Sequence, residues 1–273
     1  MLNILIAPNS FKNSLTAEEV ADAIESGFLQ SNLEVAIQKF PIADGGDYTS
    51  HLICKHMNGI MDSLAVSGAY GDTVKAFFGV INQGTTAIIE VAESSGFKSI
   101  EGPLRSPTKS STKGLGELIR HGITVGIQHF IIYLGGSATV DGGLGMLQEL
   151  GLACYDQSEK LMLASPCNFL EVKRLDITAL RALTENLQFT VLCDVENKLL
   201  GSQGAAVVFG PQKGASEQDV IVLEEFLTQF NALTDKALNK SMAQVIGGGR
   251  RWIGCLFSYL LGCKNGKRCH LFL

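Results

Sequence analysis

The chain has 273 residues, a formal net charge of −5 and no basic stripe, so nucleic acid is not an expected partner. Apolar residues make up 46% and charged residues 18%, the balance of a globular protein with room for one large or two modest domains. No apolar run reaches the ~18 residues of a membrane span, and seven cysteines without a CxxC pair read as reduced thiols, so the expected compartment is the cytoplasm.

In chain order, Leu2-Asn-Ile-Leu-Ile-Ala7 reads as a short buried strand broken by Pro8. Thr16 and Glu19 have capping-box spacing, and Val20, Ala21, Ile24 and Phe28 share one helical face, which predicts a helix over 17–29. A strand is expected over 33–40, completing an opening βαβ unit, and a helix over 48–57. Three short strands follow, over 60–67, 74–81 and 86–91, separated by Gly, Asn and Asp turns. Such a run of strands after a βαβ unit suggests a second domain beginning near Ser67. A polar loop over 103–113 leads to a helix over 115–121, and apolar strands are expected over 130–134 and 189–193. Val220, Leu223, Phe226, Leu227, Phe230 and Leu233 keep helical spacing within a long amphipathic helix over 218–238.

Four clusters place Gly, Asp, Ser, Thr or Lys after a strand or at a helix start, where open α/β sheets bind ligands. The first is Ile6-Ala-Pro-Asn-Ser-Phe-Lys12, in which Lys12 is either a carboxylate or phosphate clamp or an ordinary loop lysine. The second, Ala43-Asp-Gly-Gly-Asp-Tyr-Thr49, puts two carboxylates around a Gly-Gly turn, and its bland reading is a turn with Asp47 as helix cap. The third is Tyr133-Leu-Gly-Gly-Ser-Ala-Thr-Val-Asp-Gly-Gly-Leu-Gly145. Its small residues suit an anion nest at a helix start, with Ser137 and Thr139 as hydroxyl donors and Asp141 facing a metal or a ribose. It is neither GxGxxG nor GxxxxGK[ST], which argues against a dinucleotide-dependent oxidoreductase and a P-loop. The fourth joins Cys193-Asp-Val-Glu-Asn197 to a stretch ending in Phe209-Gly-Pro-Gln-Lys-Gly-Ala215. Asp194 there ends a buried strand, and Lys213 is placed to reach a phosphate.

These four blocks, in order and at matching spacing, resemble the bacterial glycerate kinase family over residues 1 to about 249. Weaker blocks at 90–96, 106–107 and 116–119 also match. The family usually has Asp at the position of Asn9, Glu at that of Asp47 and Asn at that of Val140, and usually has Tyr and Thr around Lys113 and Leu115.

The resemblance, which leans to the glycerate 2-kinase type, implies an α/β protein with an incomplete Rossmann-like domain and an inserted second α/β domain. The expected division is residues 1–66, 67–249 and an aberrant tail at 250–273. It also implies an enzyme with ATP and Mg²⁺ as cofactors that phosphorylates glycerate, with the 2-hydroxyl favoured. Asp194, Asp44 and Lys12 are the expected catalytic residues. Ser10, Lys12, Arg105, Gly45 and Gly46 are expected on glycerate. Gly135, Gly136, Ser137, Thr139 and Lys213 are expected on the nucleotide phosphates, and Asp194 and Asp141 on the metal. No membrane partner is expected, and no oligomeric state is specified. Gly249-Arg-Arg-Trp252 stands where the family has Gly-Ala-Ala-Gly-Gly, and the pattern is lost again from Lys264. Family members continue well past residue 273. The alternative expectation is therefore an inactive remnant that at most binds a small acid and exposes an apolar face of its opening βαβ unit.

Overall fold

The computed structural model describes residues 1–11, 14–43, 48–100, 106–192, 197–239 and 269–272. Strand β1 (Leu2–Ile6), helix α1 (Ala17–Leu29) and strand β2 (Val35–Lys39) form the opening βαβ unit, with β1 and β2 parallel. Helix α1 starts where Thr16 and Glu19 close a reciprocal capping box, and it buries Ala17, Val20 and Ala21. Ile6 is buried too, but Leu2, Leu5, Phe11, Leu29, Leu33 and Phe40 are exposed. A parallel pair normally has both faces covered, whereas here these apolar side chains are exposed.

Helix α2 (Thr49–His56) leads into β3 (Ile60–Ser67), β4 (Thr73–Ile81) and β5 (Thr86–Glu90). β3 pairs with β4 antiparallel from Ile60↔Val80 to Ser67↔Thr73. A division at residues 66/67 would separate β3 from this partner, so the strand sides with the larger sheet. Helix α3 (Val91–Ser95), helix α4 (Lys113–Thr124) and β6 (His129–Tyr133) follow, with β6 parallel to β5. After a turn come the short helix α5 (Leu144–Glu149), then β7 (Ala153–Tyr155), β8 (Leu161–Met162) and β9 (Arg174–Asp176) in a three-stranded sheet of their own. Helix α6 (Thr178–Thr184) returns the chain to β10 (Gln188–Leu192), parallel to β6. Helix α7 (Ala205–Phe209), helix α8 (Glu217–Leu238) and strand β11 (Cys269–Phe272) complete the described chain. The main sheet has the order β11-β10-β6-β5-β4-β3. The protein is mixed α/β, as expected.

The core lies on the main sheet and under α8. Phe130 and Phe189 stack across β6 and β10 at 5.4 Å. Phe169, Phe226 and Phe230 form a fully buried aromatic cluster between α8 and the segment before β9. Each buried aromatic removes a large apolar area from water, and edge-to-face or offset pairs add about 0.5–1.5 kcal/mol. Helix α8 opens with a second capping box, Ser216 with Asp219, and stops at Asn239 in the left-handed region with φ 52°. Among the described residues no helix is long and apolar enough to cross a membrane. Cys54, Cys154 and Cys167 are free thiols, and burial pushes the Cys154 thiol up to about 12.

Candidate active site

Strands β5, β6 and β10 are parallel, and their carboxyl ends fall at Glu90, Tyr133 and Leu192 on one edge. The chain leaves β6 through Leu134, whose N–H donates to the Leu192 carbonyl at 3.2 Å. It then turns through Gly136 (φ 71°), Gly142 (φ 57°) and Gly143 (φ 81°) before α5 begins. These positive φ values suit glycine, which has no Cβ to clash there. Gly145 meets a tighter constraint, because a Cβ on it would lie 2.0 Å from Ser111 Oγ and 2.8 Å from the Lys113 amide nitrogen.

The turn walls a cavity of about 80 Å³, lined among others by Val91, Thr112, Ser137, Thr139, Asp141 and Lys213. Lys213 follows the short helix α7 and Pro211, and is only 9% exposed. Its Nζ donates to Ser137 Oγ at 2.9 Å and to the Thr139 carbonyl at 2.7 Å. An ammonium has three N–H donors, so one remains for a ligand. Among the described residues no carboxylate forms an ion pair with it. Burial pulls its pKa down from the usual lysine range to about 8, partly opposed by the Asp141 charge. A buried cation with a spare donor on the wall of a mostly apolar cavity is an arrangement that can receive an anion.

Asp141 is 2% exposed. Its Oδ2 accepts from Thr112 N (2.7 Å), Thr112 Oγ1 (2.8 Å) and Gly145 N (3.1 Å), and its Oδ1 accepts from Gly143 N (3.1 Å). Three of these bonds fall on Oδ2 and one on Oδ1, so the carboxylate braces the turn while Oδ1 keeps a lone pair. The same bonds engage the Gly143 and Gly145 amides, which serve Asp141. The Met146 amide serves Thr112 Oγ1 at 3.1 Å. The side-chain anion donors at the cavity are Lys213 and the Ser137 and Thr139 hydroxyls. Gly135 and Gly136 shape the turn as it leaves β6.

The structure thus gathers Ser137, Thr139, Asp141 and Lys213 around one cavity. Ser10, whose N–H donates to Asn9 Oδ1 at 2.7 Å, is not among its lining residues. Lys12, Asp44, Gly45, Gly46, Arg105 and Asp194 lie outside the described residues. Among the described residues no group of three or more His, Cys, Asp or Glu is placed to hold a metal ion. Thr112 is a site residue that sequence reasoning missed. The signal was present in Ser110-Ser-Thr112 just ahead of α4, a run of hydroxyl residues where helices are capped.

The model of the glycerate kinase family matches residues 4–251. The chain belongs to the glycerate kinase family. It is 38% identical to a glycerate kinase of Haemophilus influenzae over 248 residues, covering 91% of this chain and 66% of the relative. It is 39% identical to a glycerate kinase of Bacillus subtilis, covering 91% and 65%. For the glycerate 2-kinase of Escherichia coli the identity is 37%, again covering 91% and 65%. A crystal structure from Salmonella typhimurium LT2, described as a candidate glycerate kinase 2, superposes with a TM-score of 0.84 at 36% identity, covering 99% of this chain and 71% of that one. The chain spans about two thirds of the length of the curated relatives it matches.

Proposed function

We propose that this family member transfers a phosphoryl group from ATP to a hydroxyl of glycerate, the 2-hydroxyl being favoured, and that it does so in the cytoplasm. The observation that carries the reading is Lys213: a buried ammonium, held by Ser137 Oγ and the Thr139 carbonyl, with a donor to spare beside a turn at the strand ends. Phosphoryl transfer asks mainly for position and for positive charge over the transferring oxygens. Lys213 supplies that charge, Ser137 and Thr139 add hydroxyl contacts, and Asp141 keeps the turn in shape. Asp194, two residues beyond the end of β10, is the proposed base that takes the glycerate hydroxyl proton, with Asp44 its rival. Lys12, Arg105, Ser10, Gly45 and Gly46 are the proposed hold on the glycerate carboxylate. Magnesium would arrive with the nucleotide phosphates and meet Asp194, with Asp141, already bracing the turn, as the second proposed ligand. The alternative, an inactive remnant, rested on the tail at 250–273, of which only 269–272 are described, and on the greater length of family members; nothing in the comparisons favours it.

Replacing Lys213 with Met removes the charge and keeps the bulk. Loss of charge-assisted bonds worth about 1.5–3 kcal/mol should weaken ATP binding about 10–100-fold with the fold retained. Isothermal titration of the wild type and of Lys213→Met tests this, and equal affinities would sink the assignment of the anion site.

The same lysine sets a pH dependence. Below a pKa of about 8 it is charged and the anion meets its full attraction; above it the lysine is neutral in the free protein. Binding there must first take up a proton. Affinity for ATP is therefore flat from pH 7 to about 8 and falls by up to about tenfold per unit above that. The Lys213→Met profile is flat throughout, and a flat wild-type profile to pH 9.5 would contradict the buried-cation picture.

A further inference from the structure

The Lys213 cavity holds about 80 Å³, and its walls are mostly apolar. Leu115 comes from α4, Leu134 and Val140 from the chain leaving β6, Leu199 from the loop before α7, Phe209 from the end of α7 and Leu227 from α8. Leu115, Val140, Leu199 and Leu227 are buried, and their side chains offer only hydrocarbon. Polar side chains on the wall are few: Lys213, the Thr112, Ser137 and Thr139 hydroxyls, and Asp141. Thr112 and Asp141 are committed to each other, since the Thr112 hydroxyl donates to Asp141 Oδ2 at 2.8 Å. Lys213 gives two of its three N–H groups to Ser137 Oγ and the Thr139 carbonyl, and keeps the third.

Apolar walls with one placed cation suit a ligand that has a single anionic head and a small hydrocarbon body. One ammonium balances one negative charge. A monoanion therefore leaves nothing uncompensated between the apolar walls, where a further buried charge would be costly. Size narrows the class. A water takes about 30 Å³, so the 80 Å³ is room for about two or three groups of that size.

We propose that the Lys213 cavity binds short-chain monocarboxylates that carry no hydroxyl, with the carboxylate on Lys213 Nζ and the chain among Leu134, Val140, Leu199 and Phe209. Such an acid has no oxygen to accept a phosphoryl group in place of glycerate's hydroxyl. Because the phosphates of ATP are proposed to claim the same ammonium, it acts as an inhibitor that competes with ATP. The competition rests on that reading of Lys213; the binding does not.

Proton NMR titration of the full chain with acetate, propionate, butyrate, hexanoate and octanoate, read on the ligand methyl signal, tests the binding. Each CH₂ from acetate to butyrate should tighten it about fourfold, the effect of burying one methylene. Hexanoate should bind no better than butyrate, because the cavity is then full. Lys213→Met should weaken butyrate about tenfold or more through loss of the charged bond. Leu134→Ala, which adds room, should move the optimum to a longer acid. Equal affinity across the series, affinity that keeps rising to octanoate, unchanged butyrate binding in Lys213→Met, or an unmoved optimum in a folded Leu134→Ala overturns the proposal. If a variant fails to fold, the wild-type series decides alone. In the kinase assay butyrate should raise KM for ATP and leave kcat at saturating ATP unchanged. Butyrate binding with the expected chain-length profile but without effect on KM for ATP upholds the carboxylate site, while the assignment of the ATP phosphates to Lys213 fails separately.

Discussion

Asp194→Asn is expected to lower kcat about 10²–10⁴-fold while the melting temperature stays near that of the wild type. The expectation starts from the sheet. β10 ends at Leu192 on the edge shared with β6, and the Leu134 amide ties the two strand ends together. The chain leaving β6 then lines the Lys213 cavity, and Asp194 follows Leu192 by two residues in the sequence. In open α/β sheets this edge is where ligands bind. Asparagine copies the shape of aspartate but accepts no proton at neutral pH and carries no charge for a metal. Transfer to a hydroxyl then loses its base. Steady-state kinetics with a thermal melt on the same sample measure both quantities. Wild-type kcat in Asp194→Asn would move the role to Asp44, whose own Asn variant should then carry the loss.

Asp141→Asn is expected to destabilise the protein by about 3–5 kcal/mol. Four donors converge on this buried carboxylate. An Asn side chain keeps one oxygen and points an NH₂ at N–H or O–H groups that already donate. At least one backbone amide of the turn or of α4 is left without its acceptor, with α5 packed against α4 alongside. Urea denaturation reads the loss directly. The result also separates two roles. A brace fails with or without magnesium, whereas a metal ligand would leave the metal-free stability unchanged. A change below about 1 kcal/mol, with magnesium binding lost, would return Asp141 to the metal.

Much of the framework is legible in the sequence because the local signals are complete. Thr16 and Glu19 announce α1, and they form the reciprocal cap that their spacing predicts. The residues expected as a strand over 60–67 are those of β3, and α8 differs from its expected range by one residue at its start. What escaped is short or remote. β7, β8 and β9 have three, two and three residues, too few for any periodicity to register. α6 and α7 have seven and five residues and no capping side chain. In the site, Ser137, Thr139 and Lys213 were identifiable as candidates from composition and spacing. Their meeting was not, because Lys213 lies 76 residues from Ser137. The bracing by Asp141 was not legible either: Asp before Gly-Gly suits a ligand site and an internal brace equally, and its donors from Thr112 lie 29 residues away. Glu90 fell inside the strand expected over 86–91, and its capping of α2 was not legible because the amides it accepts from, those of Ser50 and Tyr48, lie 40 residues upstream or more.

The central claim is that this chain moves a phosphoryl group from ATP to glycerate through the Lys213 site. Phosphorus NMR of the purified protein with ATP, magnesium and glycerate measures it most directly, because the product's resonance reports which oxygen was phosphorylated. The account predicts 2-phosphoglycerate and ADP in equal amounts, formed at about 1–100 s⁻¹ by the wild type and strongly slowed in Lys213→Met. A folded protein that binds ATP yet leaves glycerate unphosphorylated, or that transfers at an undiminished rate without Lys213, would contradict it.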